Sequence, residues 1–299
     1  MKTLFVIVGP TAIGKTALAI EVAKRLGTEI VSCDSRQFYK EMNIGVARPS
    51  EEELSAVKHH FIAHRSVVDS YNAFDFEQDA LARLEELFKE KECAVAVGGS
   101  GLYVDALCQG IALLPDPRPG LREELQLQLK QEGIESFQRQ LEALDPEYYA
   151  EVDRQNPVRL QRALEVILTS GQPYSQIIKQ TQRPRPFKVV KIGLRAEREI
   201  IKDRINRRVD VMEDMGLVEE VASLMAFRDL IALKTVGYKE IFSYLDGDIS
   251  LERSLADIKT HTWQYAKKQL TWLNRYEDIF WINIEKKLQV LQVLSNYGY

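Results

Sequence analysis

The sequence predicts an α/β protein, a parallel sheet wrapped by helices and interrupted by an inserted helical lobe. Three observations predict it. Strand-sized apolar runs alternate with segments of helical periodicity, which argues for parallel strands joined by crossover helices. Residues 9–16, Gly9-Pro10-Thr11-Ala12-Ile13-Gly14-Lys15-Thr16, form a phosphate-binding loop between a strand-like and a helix-like run, the setting found in P-loop NTPase-like sheets. Clustered prolines, Pro115, Pro117 and Pro119 and then Pro184 and Pro186, bracket a helix-rich, Gln-rich stretch and punctuate an insertion. The expected organisation is a first part of the core over residues 1–115, a helical insertion over 116–186 and a second part of the core over 187–299.

Taken in order, Leu4-Phe5-Val6-Ile7-Val8 gives a first strand over residues 3–8. In the loop that follows, glycines let backbone N–H groups turn toward an anion and the next helix offers the positive end of its dipole. Lys15 adds a full charge, and the Thr16 hydroxyl can ligand a divalent metal. A bound diphosphate or triphosphate is expected. A second strand over 29–33 ends at Asp34, at the sheet edge where open parallel sheets place their ligands. That carboxylate can hold a metal, accept a proton from a nucleophile or cap the next helix. Residues 76–91 repeat Phe76, Ala80, Leu81, Leu84, Leu87 and Phe88 at helical spacing. A third strand over 94–97 ends in Gly98-Gly99-Ser100-Gly101, a bare backbone that admits a large ligand or simply a tight strand-to-helix turn. Strands over 188–194 and 279–282 complete the sheet.

At 299 residues, 45% apolar and 28% charged, the chain has the composition of a globular protein with one full core and an appended lobe. It lacks the long apolar segments of a membrane protein, and its first residues lead straight into a strand without the layout of a signal peptide, so a cytoplasmic location is expected. Cys33, Cys93 and Cys108 read as buried free thiols in a reducing compartment. Among His59, His60, His64 and His261 a single His-x3-His spacing could hold zinc, but surface and loop packing is the expected role. The formal net charge of −4 hides an asymmetry: residues 154–208 carry 14 Lys/Arg against 4 Asp/Glu. This segregation suggests a basic surface facing a polyanion, with a solvated helix face as the alternative.

Several segments together resemble the tRNA dimethylallyltransferases. They are the loop at 9–16; Asp34-Ser35-Arg36-Gln37-Phe38-Tyr39 with Met42-Asn43-Ile44-Gly45; Gly98-Gly99-Ser100-Gly101-Leu102-Tyr103; and Asn156-Pro157 followed by Arg159-Leu160, Arg162-Ala163-Leu164-Glu165-Val166. The likeness continues through Arg204-Ile205, Arg208-Val209, Met212, Gly216-Leu217, Val236-Gly237-Tyr238-Lys239-Glu240 and Lys267-Lys268-Gln269-Leu270-Thr271-Trp272-Leu273, and so spans nearly the whole chain. Val46, Arg48, Ile13 and Lys239 depart from the residues common in that family. The chain also lacks a Cys-bearing zinc-finger extension, which points to the compact bacterial type.

The resemblance implies transfer of a dimethylallyl group from dimethylallyl diphosphate to the N6 amine of the adenosine on the 3′ side of a tRNA anticodon, with Mg2+ and release of diphosphate. The implied catalytic residues are Asp34 as base, Thr11, Lys15 and Arg208, with Thr16 as the metal ligand and residues 9–16 as the cradle for the diphosphate. The implied contacts to the tRNA anticodon stem-loop are Asp34, Ser35, Arg36, Gln37, Ser100, Arg122, Val158, Arg159, Leu160, Gln161, Arg162, Lys234, Gly237, Tyr238, Lys239, Lys267, Lys268 and Trp272, with Tyr238 and Trp272 offering stacking faces. A monomer without membrane partners is expected. A P-loop small-molecule kinase, a non-catalytic RNA-binding NTPase switch and an adenylate isopentenyltransferase stay open as alternatives.

Overall fold

The structure is a computed structural model, and it describes residues 1–179 and 183–299. Residues 180–182, inside the expected insertion, lie outside the described residues. The chain divides into two compact units, one made of residues 1–108 and 185–299 and the other of residues 109–184.

The first unit is built on six strands: β1 Thr3–Val8, β2 Ile30–Ser32, β3 His59–His60, β4 Cys93–Gly98, β5 Lys188–Arg195 and β6 Ile279–Asn283. Their order across the sheet is β3-β2-β4-β1-β5-β6. Every pairing is parallel, and Phe5 of the central strand sits between Val95 and Val190. Alternate side chains serve opposite faces. Phe5 and Ile7 join Val95, Ile192 and Leu194 under the helices Lys15–Leu26 and Arg198–Asp214, which contribute Leu18, Val22, Ile201 and Ile205. Leu4, Val6 and Val8 join Ala94 and Ala96 under the helices Ala73–Glu90 and Gly101–Gln109, which contribute Phe76, Leu84, Val104 and Leu107. Burial on both faces explains why the strands read as unbroken apolar runs.

The two-residue β3 went unpredicted because His59 and His60 show neither an apolar run nor alternation. The helix expected over 76–91 begins at Ala73 instead. Asn72 accepts the amides of Phe74 and Asp75, and the Asp75 carboxylate accepts the Asn72 amide at 2.9 Å, a reciprocal cap that starts the helix one turn early. A third apolar cluster gathers Leu217, Val221, Tyr238, Ile241 and Ile258 from the helices Leu217–Ser223, Tyr238–Leu245 and Leu251–Leu273.

The second unit is helical and has its own core of Leu121, Phe137, Leu141, Leu160 and Leu164. It begins at Gln109, ahead of the proline cluster. All three cysteines are buried and unpaired. No described helix is long and apolar enough to cross a membrane.

Candidate active site

Because all strands run parallel, the loops after β1, β2 and β4 meet at one edge. Gly14 takes a left-handed φ of 98° and lets the helix Lys15–Leu26 start with no side-chain cap, so its first-turn amides are available to an anion. Lys15 Nζ donates to the Pro10 carbonyl at 2.8 Å. Its burial, reinforced by the charge of Arg208, lowers its pKa from 10.5 to about 8. Arg208 reaches in from the helix Arg198–Asp214 and donates to Thr11 Oγ1 at 3.2 Å; burial lowers its pKa as well. Among the described residues neither cation closes an ion pair with a carboxylate.

Asp34 does not cap a helix. Its Oδ1 accepts the Arg36 amide at 3.0 Å across a turn, and the next helix starts only at Glu51. The hydroxyl of Ser100, after β4, accepts the Ser35 amide at 3.2 Å and so ties two strand ends together. A third tie comes from Gln269 on the helix Leu251–Leu273. It accepts the Thr11 amide at 2.8 Å and donates to the Gly99 carbonyl at 2.9 Å.

Three cavities adjoin one another here through shared lining residues. One of about 310 Å³ is polar and lined by the loop, Lys15, Thr16, Ser32, Asp34 and Arg208. The second, about 220 Å³, has apolar walls from Val209, Met212, Val236, Ile258 and Tyr265. Thr11, Asp34, Val46, Ala47 and Arg208 line both, so they mark the junction. The third, about 380 Å³, carries Lys234, Lys239 and Lys268 and shares Thr235, Val236 and Tyr265 with the second.

The polar cavity fits a hard divalent cation. Such an ion keeps several waters and phosphate oxygens and needs few protein oxygens, and Thr16, Ser32 and Asp34 are among the residues that line the cavity. No group of three or more His, Cys, Asp or Glu is placed to hold a metal among the described residues; His60 instead faces the Glu29 carboxylate.

The structure thus brings together the loop, Asp34, Ser35, Arg36, Arg208, Lys234, Gly237, Lys239 and Lys268 around these adjoining cavities. Two expectations need correcting. Tyr238 offers no stacking face: its ring is fully buried in the third apolar cluster and its hydroxyl donates to Glu220 at 2.6 Å. Leu160 is fully buried in the core of the helical unit, so its side chain is packing rather than contact surface. One face of Trp272 is covered by the Arg275 guanidinium at 3.9 Å, and Gln37 spends its amide on the Val46 and Ala47 carbonyls.

In the helical unit Val158 and Arg159 are exposed, whereas Arg122, Gln161 and Arg162 all converge on the buried Glu165 carboxylate. The basic stretch is therefore not one surface. Within it Arg185 pairs with Glu77, Lys191 with Asp278 and Lys179 with Glu147. Sequence reasoning missed Glu220, and it gave no role to Met212 and Gln269 although both stand inside quoted motifs. A neutral residue between two lysines and a tryptophan carries no signal of its own.

Comparison with known proteins places this geometry. Residues 37–276 match the sequence profile described as IPP transferase. A tRNA dimethylallyltransferase of Christiangramia forsetii is 49% identical over 280 residues, covering 94% of this chain and 93% of the relative. One of Flavobacterium johnsoniae is 48% identical over 289 residues, covering 95% and 94%. The crystal structure of the full-length tRNA isopentenylpyrophosphate transferase of Bacillus halodurans superposes with a TM-score of 0.73 at 33% identity, over 99% of this chain and 96% of that one. A eukaryotic dimethylallyltransferase crystallised acting on tRNA reaches a TM-score of 0.78 at 23% identity, over 95% and 74%, a likeness of fold.

Proposed function

The chain belongs to the IPP transferase family and is a prenyltransferase acting on tRNA, and from that premise we propose that its joined cavities move a dimethylallyl group from dimethylallyl diphosphate to N6 of the adenosine 3′ to the anticodon. One observation carries the reading: the polar and apolar cavities meet at Asp34, Thr11 and Arg208. A donor with an anionic head and a five-carbon tail needs such a junction at its reacting C–O bond.

The loop amides, Lys15 and Arg208 hold the diphosphate and stabilise the charge that builds on it as the C–O bond breaks and the electron pair leaves with it. The apolar walls hold the allyl tail and keep water from the electron-poor carbon. Adenine N6 is a poor nucleophile because its lone pair is delocalised into the ring. As it bonds to the allylic carbon, the Asp34 carboxylate takes its proton. When bound, Mg2+ at Thr16 supplies further neutralisation of the diphosphate. Extruding the adenine from the anticodon loop demands a basic approach, and Lys234, Lys239 and Lys268 line the cavity leading inward. The protein acts in the cytoplasm, where unmodified tRNA is found, as a monomer.

The test is incubation with labelled dimethylallyl diphosphate and, in parallel, unmodified tRNA, AMP, or ATP with small acceptors. Label enters tRNA alone. Label in AMP would make the protein an adenylate isopentenyltransferase, and γ-phosphate transfer without prenyl transfer would make it a kinase.

A further inference from the structure

Tyr265 stands on the helix Leu251–Leu273 where two of its faces meet. Ile258, Thr262 and Tyr265, at helical spacing, line the apolar cavity beside the junction, whereas His261, Tyr265 and Lys268 line the basic one. The side chain therefore borders the neck between the two cavities, where Thr235 and Val236 join it from the segment ahead of the helix Tyr238–Leu245. Of these three cavities Val209, Met212 and Ile258 line only the apolar one, and they remain as walls for the tail.

The two ends of Tyr265 differ. Its hydroxyl meets the side chains of Ser100 and Gln269, the same two that tie the strand ends and the phosphate loop together. Burial of that hydroxyl, and then the Asp34 charge, raises its pKa, so the 41% of the residue left exposed belongs to the ring more than to the tip. An aromatic held at its polar tip and open along its ring is a stacking surface with little freedom left to lose. The other aromatics of this helix are occupied: Trp272 lies under Arg275, and Trp263 packs against the first core cluster. Among the described residues Tyr265 is the one Phe, Tyr or Trp that lines any of the three cavities.

A base that leaves the anticodon loop loses its stacking neighbours, and a pocket that receives it offsets part of that loss by stacking the base again. Lysines on phosphates hold the strand but cannot do this. We infer that Tyr265 is the platform on which the extruded adenine stacks at the neck between the basic cavity and the junction, with Lys268, one turn further along the helix, on the phosphates of the same strand. This rests on the function proposed above. Tyr265 takes no part in bond making; it stabilises the extruded state.

The test measures transfer to tRNA by Tyr265→Phe and Tyr265→Leu against wild type, with the KM for dimethylallyl diphosphate and the denaturation midpoint followed in parallel. Tyr265→Phe keeps the ring and leaves kcat/KM for tRNA within about threefold. Tyr265→Leu keeps an apolar side chain without a π face and lowers kcat/KM for tRNA by about 10- to 100-fold, the scale of one lost base–aromatic stack. In both variants the KM for dimethylallyl diphosphate stays within about threefold. A packing role would move the midpoint and the donor KM instead of separating Phe from Leu. Wild-type transfer by Tyr265→Leu, or an equal loss in both variants, overturns the inference. A second measurement needs only the wild type: tRNA carrying 8-azidoadenosine in place of the target adenosine is photolysed on the enzyme. The label enters the peptide that bears Tyr265; label elsewhere or nowhere overturns the inference even if Tyr265→Leu fails to fold. Absence of prenyl transfer in the wild type overturns the function instead.

Discussion

At the edge of the sheet Lys15 and Arg208 line a cavity and, among the described residues, neither closes an ion pair, while in the helical unit Arg122 and Arg162 close on one buried Glu165. The cations are of the same kind, but their bookkeeping differs. In the helical unit burial pushes the Glu165 carboxyl up, yet hydrogen bonds from Arg122, Gln161 and Arg162 hold it net below its ordinary value, so that charge is settled within the fold. At the sheet edge burial lowers the pKa of both cations and the charge of Arg208 adds to that at Lys15, while the Asp34 carboxylate pulls the other way on both without closing an ion pair. Unmatched buried charge marks a ligand site, and matched charge marks scaffolding.

The largest expected effect tests the junction. Asp34→Asn lowers turnover by about 10²- to 10⁴-fold while tRNA binding, read by filter retention, stays at the wild-type level. Wild-type turnover would remove Asp34 from the role of base. Next, Arg208→Ala lowers kcat/KM for dimethylallyl diphosphate by about 10²- to 10³-fold without lowering the denaturation midpoint, because it removes an unmatched charge. A matched charge behaves in the reverse way. Arg185 donates to the fully buried Glu77 at 2.8 Å, and Arg185→Ala costs about 3–5 kcal/mol of stability by denaturant titration while the folded enzyme keeps its kcat. If Arg185→Ala spared stability and abolished transfer, the distinction would fail.

The smallest effect is a pH dependence. The folded pKa of Lys15, about 8, lies below its ordinary 10.5, so between those values the unfolded chain binds the extra proton. The unliganded protein therefore gains stability as pH rises through that window. Affinity for the diphosphate changes the other way, falling by at most about tenfold per unit above pH 8, and binding there takes up a proton that calorimetry in two buffers detects.

What the sequence made legible follows the same division. The loop at 9–16 is contiguous, and its flanking strand and helix announce it, so both its place and its chemistry could be read directly. The strands were legible because both faces of the sheet are buried. Tyr238 was misread because an aromatic between Gly237 and Lys239 looks exposed until two other helices are packed over it. Glu220 and Gln269 were invisible as site residues because their partners, the amides of residues 43–45 and of Thr11, lie far away along the chain. The basic stretch suggested one surface, but a charge count cannot tell which arginines have a carboxylate waiting in three dimensions. Arg185 and Arg162 do; Arg159 stands exposed.

The position of β1 bears on how the chain assembles during synthesis. Its partner β4 leaves the ribosome early, but β5, on its other side, follows only after the whole helical unit has been made. Until then a strand buried along its whole length has an open edge in a half-formed layer, the condition in which chains pair wrongly. The helical unit has a core of its own, and the Arg183 amide bonds to the Gln109 carbonyl at 3.0 Å, so its two ends are held beside each other. Early closure of that unit shortens the loop that β5 must span to reach β1, turning a long-range pairing into a nearly local one.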